Sequence, residues 1–278
     1  MSLELNEVSY VYGAGQPWAV EALSGVSLAV APGELVLVVG PTGSGKSTLL
    51  RIAGGLLAPV SGDVTVDGRP LSDIQRGRGV GLVFQSPESQ LFAETVLEDV
   101  AFGPRNLGLS AEEAHEVARD SLGAVGLDAP AFGPRSPFSL SGGEARRVAI
   151  AGVIAMRPAY LLADEPTAGL DAHGRAAVRM VLRGLRQRTG IVVVTHDAEE
   201  FLAEADRVLI LDRGRALFAG SANELVAEPT WLTEAGLRPP PVLAAQVLAR
   251  EAGMPVEAYS LDPCAAAAAL ARAGGWST

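Results

Sequence analysis

Apolar and polar residues alternate, with mixed register, over residues 3–12 and again over 26–30, so both segments read as strands. The next apolar run, 34–39 (ELVLVV), is of the length and character of a strand buried on both faces of a parallel sheet. Helical spacing follows over 48–57 (TLLRIAGGLL). Residues 62–68 (GDVTVDG) alternate strictly between turn residues and predict an antiparallel edge piece, and 80–84 is another short apolar run. A helix is expected over 110–125, opened by Ser110 three residues before Glu113 in a capping box. A second is expected over 141–156, stopped by Pro158.

Strands and helices then alternate: strand 160–163, helix 172–188, strand 191–195, helix 197–205, strands 207–211 and 216–219. Such alternation implies parallel crossovers and an α/β core. Composition shifts near Ser221. Beyond it come a break at Pro239, Pro240 and Pro241, a helix over 242–252, and an alanine-rich stretch at 265–273 entered by Asp262 as cap and Pro263 in the first turn. These divide the chain into a main domain, 1–221, and a helical appendage, 222–278.

Chemistry gathers where strands end. Between the strand at 34–39 and the helix at 48–57 lies GPTGSGKS, residues 40–47, which fits the phosphate-loop pattern G-x-x-x-x-G-K-[ST]. In such a loop the backbone N–H groups of Gly40, of Thr42 to Gly45 beyond Pro41, and of the helix start form a positive cradle for phosphates, with Thr42, Gly43 and Ser44 at its centre and Thr48 just inside the helix. Proline, lacking an N–H, contributes only shape. Lys46 would reach the β- and γ-oxygens and Ser47 would ligate Mg²⁺. Lys46 is the only lysine among 22 lysines and arginines, as expected where a compact ammonium fits and a planar guanidinium does not.

The run 160–166 (YLLADEP) ends a strand in two carboxylates; Asp164 would hold Mg²⁺ and Glu165 would orient or deprotonate a water. Ser139 to Glu144 (SLSGGE) enters a helix directly, so Ser141, Gly142 and Gly143 form a second anion site, for a phosphate bound elsewhere or for the nucleotide of another subunit. His196, after strand 191–195, is placed to donate to a γ-phosphate, and Gln85, after strand 80–84, to touch Mg²⁺ or the water. His115 and His173 have no such placement and read as solvated.

In this order the phosphate loop, strand-end glutamine, LSGGE, strand-end DE and histidine resemble the nucleotide-binding subunit of ABC transporters, over about residues 1–221. The resemblance implies a P-loop NTPase core with a mostly parallel central sheet, an antiparallel β-subdomain and a helical subdomain at about 86–158. It also implies MgATP as ligand, and assigns Tyr12, with Tyr10 as fallback, to stacking on adenine. Gln85 would sense Mg²⁺ and the membrane partner; Ser141, Gly142 and Gly143 would close over ATP held by a second subunit; Gly169, Leu170 and Asp171 would form the loop between the two sites. Glu165 would be the catalytic carboxylate and His196 its γ-phosphate partner. Glu144 stands where the family usually has glutamine, and Ala163 is smaller than the usual residue before Asp164. Residues 83–108 and 149–158 are similar to the energy-coupling-factor type, the ATPases of cobalt, nickel and vitamin importers. That type implies a second ATPase subunit (a copy or a paralogue), a transmembrane T component contacted near Gln90, a substrate-capture membrane subunit, and a dimerising tail after Ser221. Its ATPase is expected at the cytoplasmic face of the membrane. Amino-acid and metal importers carry related sequences and remain open.

Composition narrows the alternatives. A net charge of -10 and a pI of about 4.9 oppose any broad grip on nucleic acid, against a soluble ABC ATPase acting on DNA or ribosomes. The lone Cys264 cannot form an internal disulfide, as suits a reducing compartment, and no signal peptide is expected. Mean hydropathy is +0.25, but no apolar run approaches the roughly 18 residues a membrane span requires.

Overall fold

In the computed structural model, which describes residues 2–74 and 79–275, two sheets lie on either side of one buried layer. Strands β1 (Leu3–Tyr12), β2 (Val20–Val30) and β3 (Leu35–Val39) lead to helix α1 (Lys46–Ala53), followed by β4 (Ser61–Val66), β5 (Arg69–Pro70) and β6 (Val80–Val83). Four helices come next: α2 (Val96–Asn106), α3 (Ala111–Ala124), α4 (Ala129–Phe132) and α5 (Gly142–Ala155). Then follow β7 (Tyr160–Asp164), α6 (Ala172–Leu185), β8 (Gly190–Thr195), β9 (Arg207–Asp212) and β10 (Arg215–Ser221). Beyond β10 come α7 (Ala222–Ala227), α8 (Thr230–Glu234), α9 (Pro241–Glu251) and α10 (Pro263–Ala273), with Leu225, Leu232 and Leu243 in the same core as the larger sheet; the last residues of the expected 222–278 extension, 276–278, lie outside the described residues.

The larger sheet has the order β10-β9-β3-β8-β7-β6, parallel except for β10 at its edge. Its central strands β3, β7 and β8 are buried on both faces, which explains their near-continuous apolar residues. Leu35, Leu37 and Val39 point into the core shared with α5 and α6. Val36 and Val38 point the other way, with Leu49, Leu50 and Ile52 of α1, toward the smaller antiparallel sheet β2-β1-β4-β5. Helix α1 with its loop is thereby clamped between the sheets, at the carboxyl end of a central strand, where open α/β sheets place ligands.

Several expectations shift. The segment 62–68 is not the sheet edge, since β4 pairs with β1 on one side and with two-residue β5 on the other. Residues 197–205 form turns, not a helix. The Thr195 hydroxyl accepts from Asp197 N–H (3.1 Å), the Asp197 carboxylate accepts from Glu199 N–H (2.9 Å), and Phe201 and Leu202 are pulled into the core, so anchoring overrides local spacing. Helix α2 went unread because Gly103 and Pro104 lie inside it, although Thr95 caps it through Glu98 N–H. The alanine run is a helix, α10, with Asp262 accepting from Ala265 N–H at 2.7 Å.

Candidate functional site

The loop between β3 and α1 is shaped as the sequence pattern requires. Gly45 has φ of 102° and a Cβ there would lie 2.4 Å from the Ala22 carbonyl oxygen; at Gly40 a Cβ would lie 2.2 Å from that of Leu211. Both positions exclude side chains by close approach of backbone. Helix α1 begins with no side-chain cap and no acidic residue in its first turn, leaving its positive end uncompensated. The Ser44 hydroxyl is buried without a hydrogen-bond partner, and the Lys46 ammonium donates to the carbonyls of Gly40 (2.7 Å) and Pro41 (2.9 Å) across the loop's mouth. An unpaired donor, bare N–H groups and a cation facing inward fit a polyphosphate. Burial pushes the Lys46 ammonium below its ordinary value, against the opposing pull of the Glu165 and Asp164 carboxylates.

Strand β7 brings those carboxylates to the same mouth. Asp164, buried, accepts from the Ser47 hydroxyl; desolvation raises its carboxyl above the usual range despite that bond, with the Glu165 charge adding to the rise. Ser47 and Asp164 therefore offer adjacent oxygens, the kind of partial ligand set that Mg²⁺ takes alongside phosphate. Glu165 leaves the strand with φ of 49°, a left-handed conformation that costs a non-glycine residue roughly 1–3 kcal/mol. That turn aims its carboxylate at the end of β8. One oxygen accepts from the His196 N–H (2.9 Å) and lies 2.7 Å from His196 Nδ1; the other accepts from the Thr195 hydroxyl (3.0 Å). With Nδ1 committed, His196 presents Nε2 outward on a side chain 66% exposed.

The remaining expected residues are placed more variously. Tyr12 is half-buried at the end of β1, its hydroxyl 3.2 Å from that of Thr48 and its ring edge-on to Tyr10 at 4.9 Å, so its edge meets α1 directly. The Gln85 side chain is exposed just beyond β6. Ser141 caps α5, and Glu144 completes a capping box, accepting from the Ser141 N–H (2.8 Å) and hydroxyl (2.9 Å). These bonds, with Arg135 nearby at 3.6 Å, hold the Glu144 carboxyl below its usual range. A Cβ at Gly142 would meet nothing within 4 Å, and at Gly143 only Leu170, at 3.7 Å. Neither glycine is demanded by this chain's own packing. His115 is not a plain solvated residue: its Nε2 lies 2.8 Å from Glu98 and 2.9 Å from Arg105, half-buried between α2 and α3, whereas His173 is exposed.

A model of the ABC transporter family matches residues 23–168, which span the phosphate loop, α5, β7 and the first residues after β7. An energy-coupling factor transporter ATP-binding protein EcfA2 of Symbiobacterium thermophilum is 47% identical over 276 residues, covering 96% of this chain and 95% of that one. An EcfA2 of Streptococcus pyogenes is 41% identical over 269 residues, 94% of this chain and 96% of its own length. The chain belongs to the energy-coupling-factor ABC ATPases. Among solved structures, cbiO1 of Clostridium perfringens, part of the transporter complex cbiONQ, superposes with a TM-score of 0.72 at 32% identity, over 88% of this chain and 98% of that one. The cassette MJ0796, dimeric in a post-hydrolysis state with ADP and Pi, gives a TM-score of 0.70 at 33% identity, over 79% of this chain and 98% of that one.

Membership in the energy-coupling-factor ATPases makes this chain an ATP-hydrolysing transporter subunit, and of the classes left open by composition it selects transport over nucleic-acid remodelling. Among the described residues, no helix is long and apolar enough to cross a membrane. Two features of the energy-coupling-factor subunit were not legible as chemistry. Arg146, one turn into α5, is an arginine on a buried helical face whose partners are distant in sequence. A groove of ≈ 980 Å³ runs beside α5, lined by Leu71, Phe84, Phe92, Phe102 and Met156 with Gln90 at its rim.

Glu144 yields a direct test. We expect Glu144→Gln to keep the helix cap, since the amide oxygen still accepts from Ser141, while removing a negative charge beside the serine-glycine turn. ATP-driven association should strengthen about 2- to 10-fold at low salt and converge with wild type near 1 M, where screening shortens to ~3 Å; sedimentation at two salt concentrations checks it.

Proposed function

We propose that this chain binds MgATP between its phosphate loop, Asp164 and Glu165, and that a second ATPase subunit lays its own serine-glycine turn over that nucleotide while Ser141, Gly142 and Gly143 do the same in return. The observation carrying this reading is the open space at Gly142 and Gly143, which the monomer leaves unused at an uncovered helix start. Lys46, Ser44 and the loop N–H groups bind the triphosphate; Ser47 and Asp164, with Gln85 swinging in from its exposed position, hold the cation. Mg²⁺, when bound, neutralises charge on the phosphate oxygens. Glu165 orients the attacking water and takes its proton, while His196 is oriented by its Nδ1–H bond to that carboxylate and donates from Nε2 in its doubly protonated form. Tyr12 borders the base. Little covalent work falls to the protein beyond placement and charge stabilisation.

Closure of two subunits on nucleotide then works as a rigid-body stroke, reset by hydrolysis. The stroke is delivered to membrane partners through the groove: Phe92 and Phe102 stand 58% and 47% exposed there, edge to face at 4.8 Å, an apolar surface suited to a helix of the T component. The cargo class is a metal ion or vitamin held by a separate capture subunit, the site of action is the cytoplasmic face of the membrane, and the helical tail from Ala222 onward contributes to pairing.

Two measurements check this. Because each site needs two subunits, specific ATPase activity should climb with protein concentration through the micromolar range; a flat dependence under dilution contradicts the shared site. Phe92→Asp should leave hydrolysis by the soluble ATPase within about twofold yet cut recovery of the membrane complex at least 10-fold, as expected for a buried aromatic anchor. Intact recovery would remove the groove from the coupling path.

A further inference from the structure

Helix α5 carries the serine-glycine turn at its start, while Ala149, Val153 and Met156 farther along it line the apolar groove. Arg146 lies between the two and is 6% exposed. Its guanidinium reaches three acceptors from two separate loops. One terminal nitrogen donates to the backbone carbonyl of Ala168, the other to that of Gln85 (2.7 Å), and Nε lies 3.5 Å from the Glu88 carboxylate. Gln85 and Glu88 belong to the segment leading from β6 through the 3-10 turn Pro87–Gln90 into the groove's rim. Ala168 opens the loop that continues through Gly169, Leu170 and Asp171, where Asp171 caps α6 and Leu170 is the neighbour of Gly143. A charge this deeply buried persists only when it is paired and hydrogen-bonded, and a planar fork is the shape that donates to two carbonyls at once while its charge faces a carboxylate.

We propose that Arg146 is a positioning residue that fastens the 85–90 segment to the 167–171 loop, so that the groove's rim and the loop beneath the serine-glycine turn move as one body. The inference rests on the proposed roles of Gln85 and of the shared site. It assigns to one side chain the mechanical link between the surface that meets the membrane partner and the surface that meets the second ATPase. Arg146 itself touches no reacting atom. Its effect on rate comes through where Gln85 and the 167–171 loop are held, and misplacement by about 1 Å at such a site can cost on the order of 10²-fold in rate.

The link is tested with Arg146→Met, which keeps much of the apolar stem, and Arg146→Lys, which keeps the charge near Glu88 but cannot fork across two carbonyls. The full chain is used, supplemented with whichever paralogous energy-coupling-factor ATPase supports wild-type hydrolysis. Both variants are expected to lower kcat by roughly 10²-fold while the dissociation constant for ATP, measured by equilibrium dialysis without turnover, stays within about threefold. Hydrogen exchange supplies a readout independent of rate: amides in 85–91 and in 167–171 should lose protection together in both variants, with the phosphate loop unchanged. Loosening of one segment without the other, or full rescue of kcat by lysine, would overturn the assignment. So would equal losses in ATP binding and kcat accompanied by a lowered thermal midpoint, which mark a merely folding role. A wild-type protein that failed to hydrolyse ATP would instead defeat the reading of the site itself.

Discussion

Lys46→Ala is expected to weaken ATP binding by about 10²-fold, the largest loss from any single side chain in the phosphate loop. Charge-assisted hydrogen bonds contribute ~1.5–3 kcal/mol each, and about 1.4 kcal/mol is a factor of ten, so removing this ammonium from two phosphate oxygens accounts for that loss with allowance for remaining N–H contacts. The same substitution strips the partner from the Gly40 and Pro41 carbonyls, which the ammonium now satisfies at 2.7 and 2.9 Å. Binding should therefore be read beside a thermal melt. Lys46→Arg is the sharper control: it keeps the charge but places a planar fork in a space closed by Gly40, whose Cβ position is 2.6 Å from the Ser44 hydroxyl. It should bind ATP almost as poorly as Lys46→Ala. Isothermal titration of both variants checks the pair, and near-wild-type affinity in either would place the triphosphate elsewhere.

Glu165→Gln should do the opposite, sparing affinity while lowering hydrolysis by about 10²- to 10⁴-fold, the usual contribution of a positioned general base. The amide oxygen can still accept from the His196 N–H while the amide nitrogen donates to the Thr195 hydroxyl in place of the bond it received, so the left-handed turn at position 165 and the end of β8 should hold their geometry. What is lost is the capacity to take a proton. ATP then stays in place, and paired subunits should accumulate because the reset step has been removed. Single-turnover kinetics with retained nucleotide distinguishes this from a misfolded site, and turnover at the wild-type rate would remove Glu165 from the chemistry.

Much of this site could be read from the chain because its groups sit at strand ends next to short patterns. The glycines at 40 and 45, the lysine and the two carboxylates at 164 and 165 are each fixed by one neighbouring element, so spacing alone locates them. The capping box at Ser110 is likewise local and lies where the sequence predicts it. What escaped depends on contacts between distant segments. Arg146 finds acceptors 22 and 61 residues away, and the groove draws Leu56, Phe84, Phe102 and Met156 from separate stretches into one surface. No window along the sequence contains such a site. The absent helix at 197–205 has a related cause, since Glu200 is drawn to the Thr167 hydroxyl and to Arg175, fixing the segment by tertiary bonds that periodicity does not register. Glu144 was visible as a departure from the family, but its capping bonds to Ser141 became apparent only with the helix start in place.

The shared nucleotide site is tested most directly by sedimentation velocity of the Glu165→Gln chain with MgATP, alone and mixed with a paralogous energy-coupling-factor ATPase. A dimer should form in at least one mixture, require ATP, and vanish when Gly143→Arg is added in the same chain, a position where this subunit's own fold leaves room for a side chain. Monomers in both mixtures, or a dimer indifferent to ATP and to Gly143→Arg, would contradict the account.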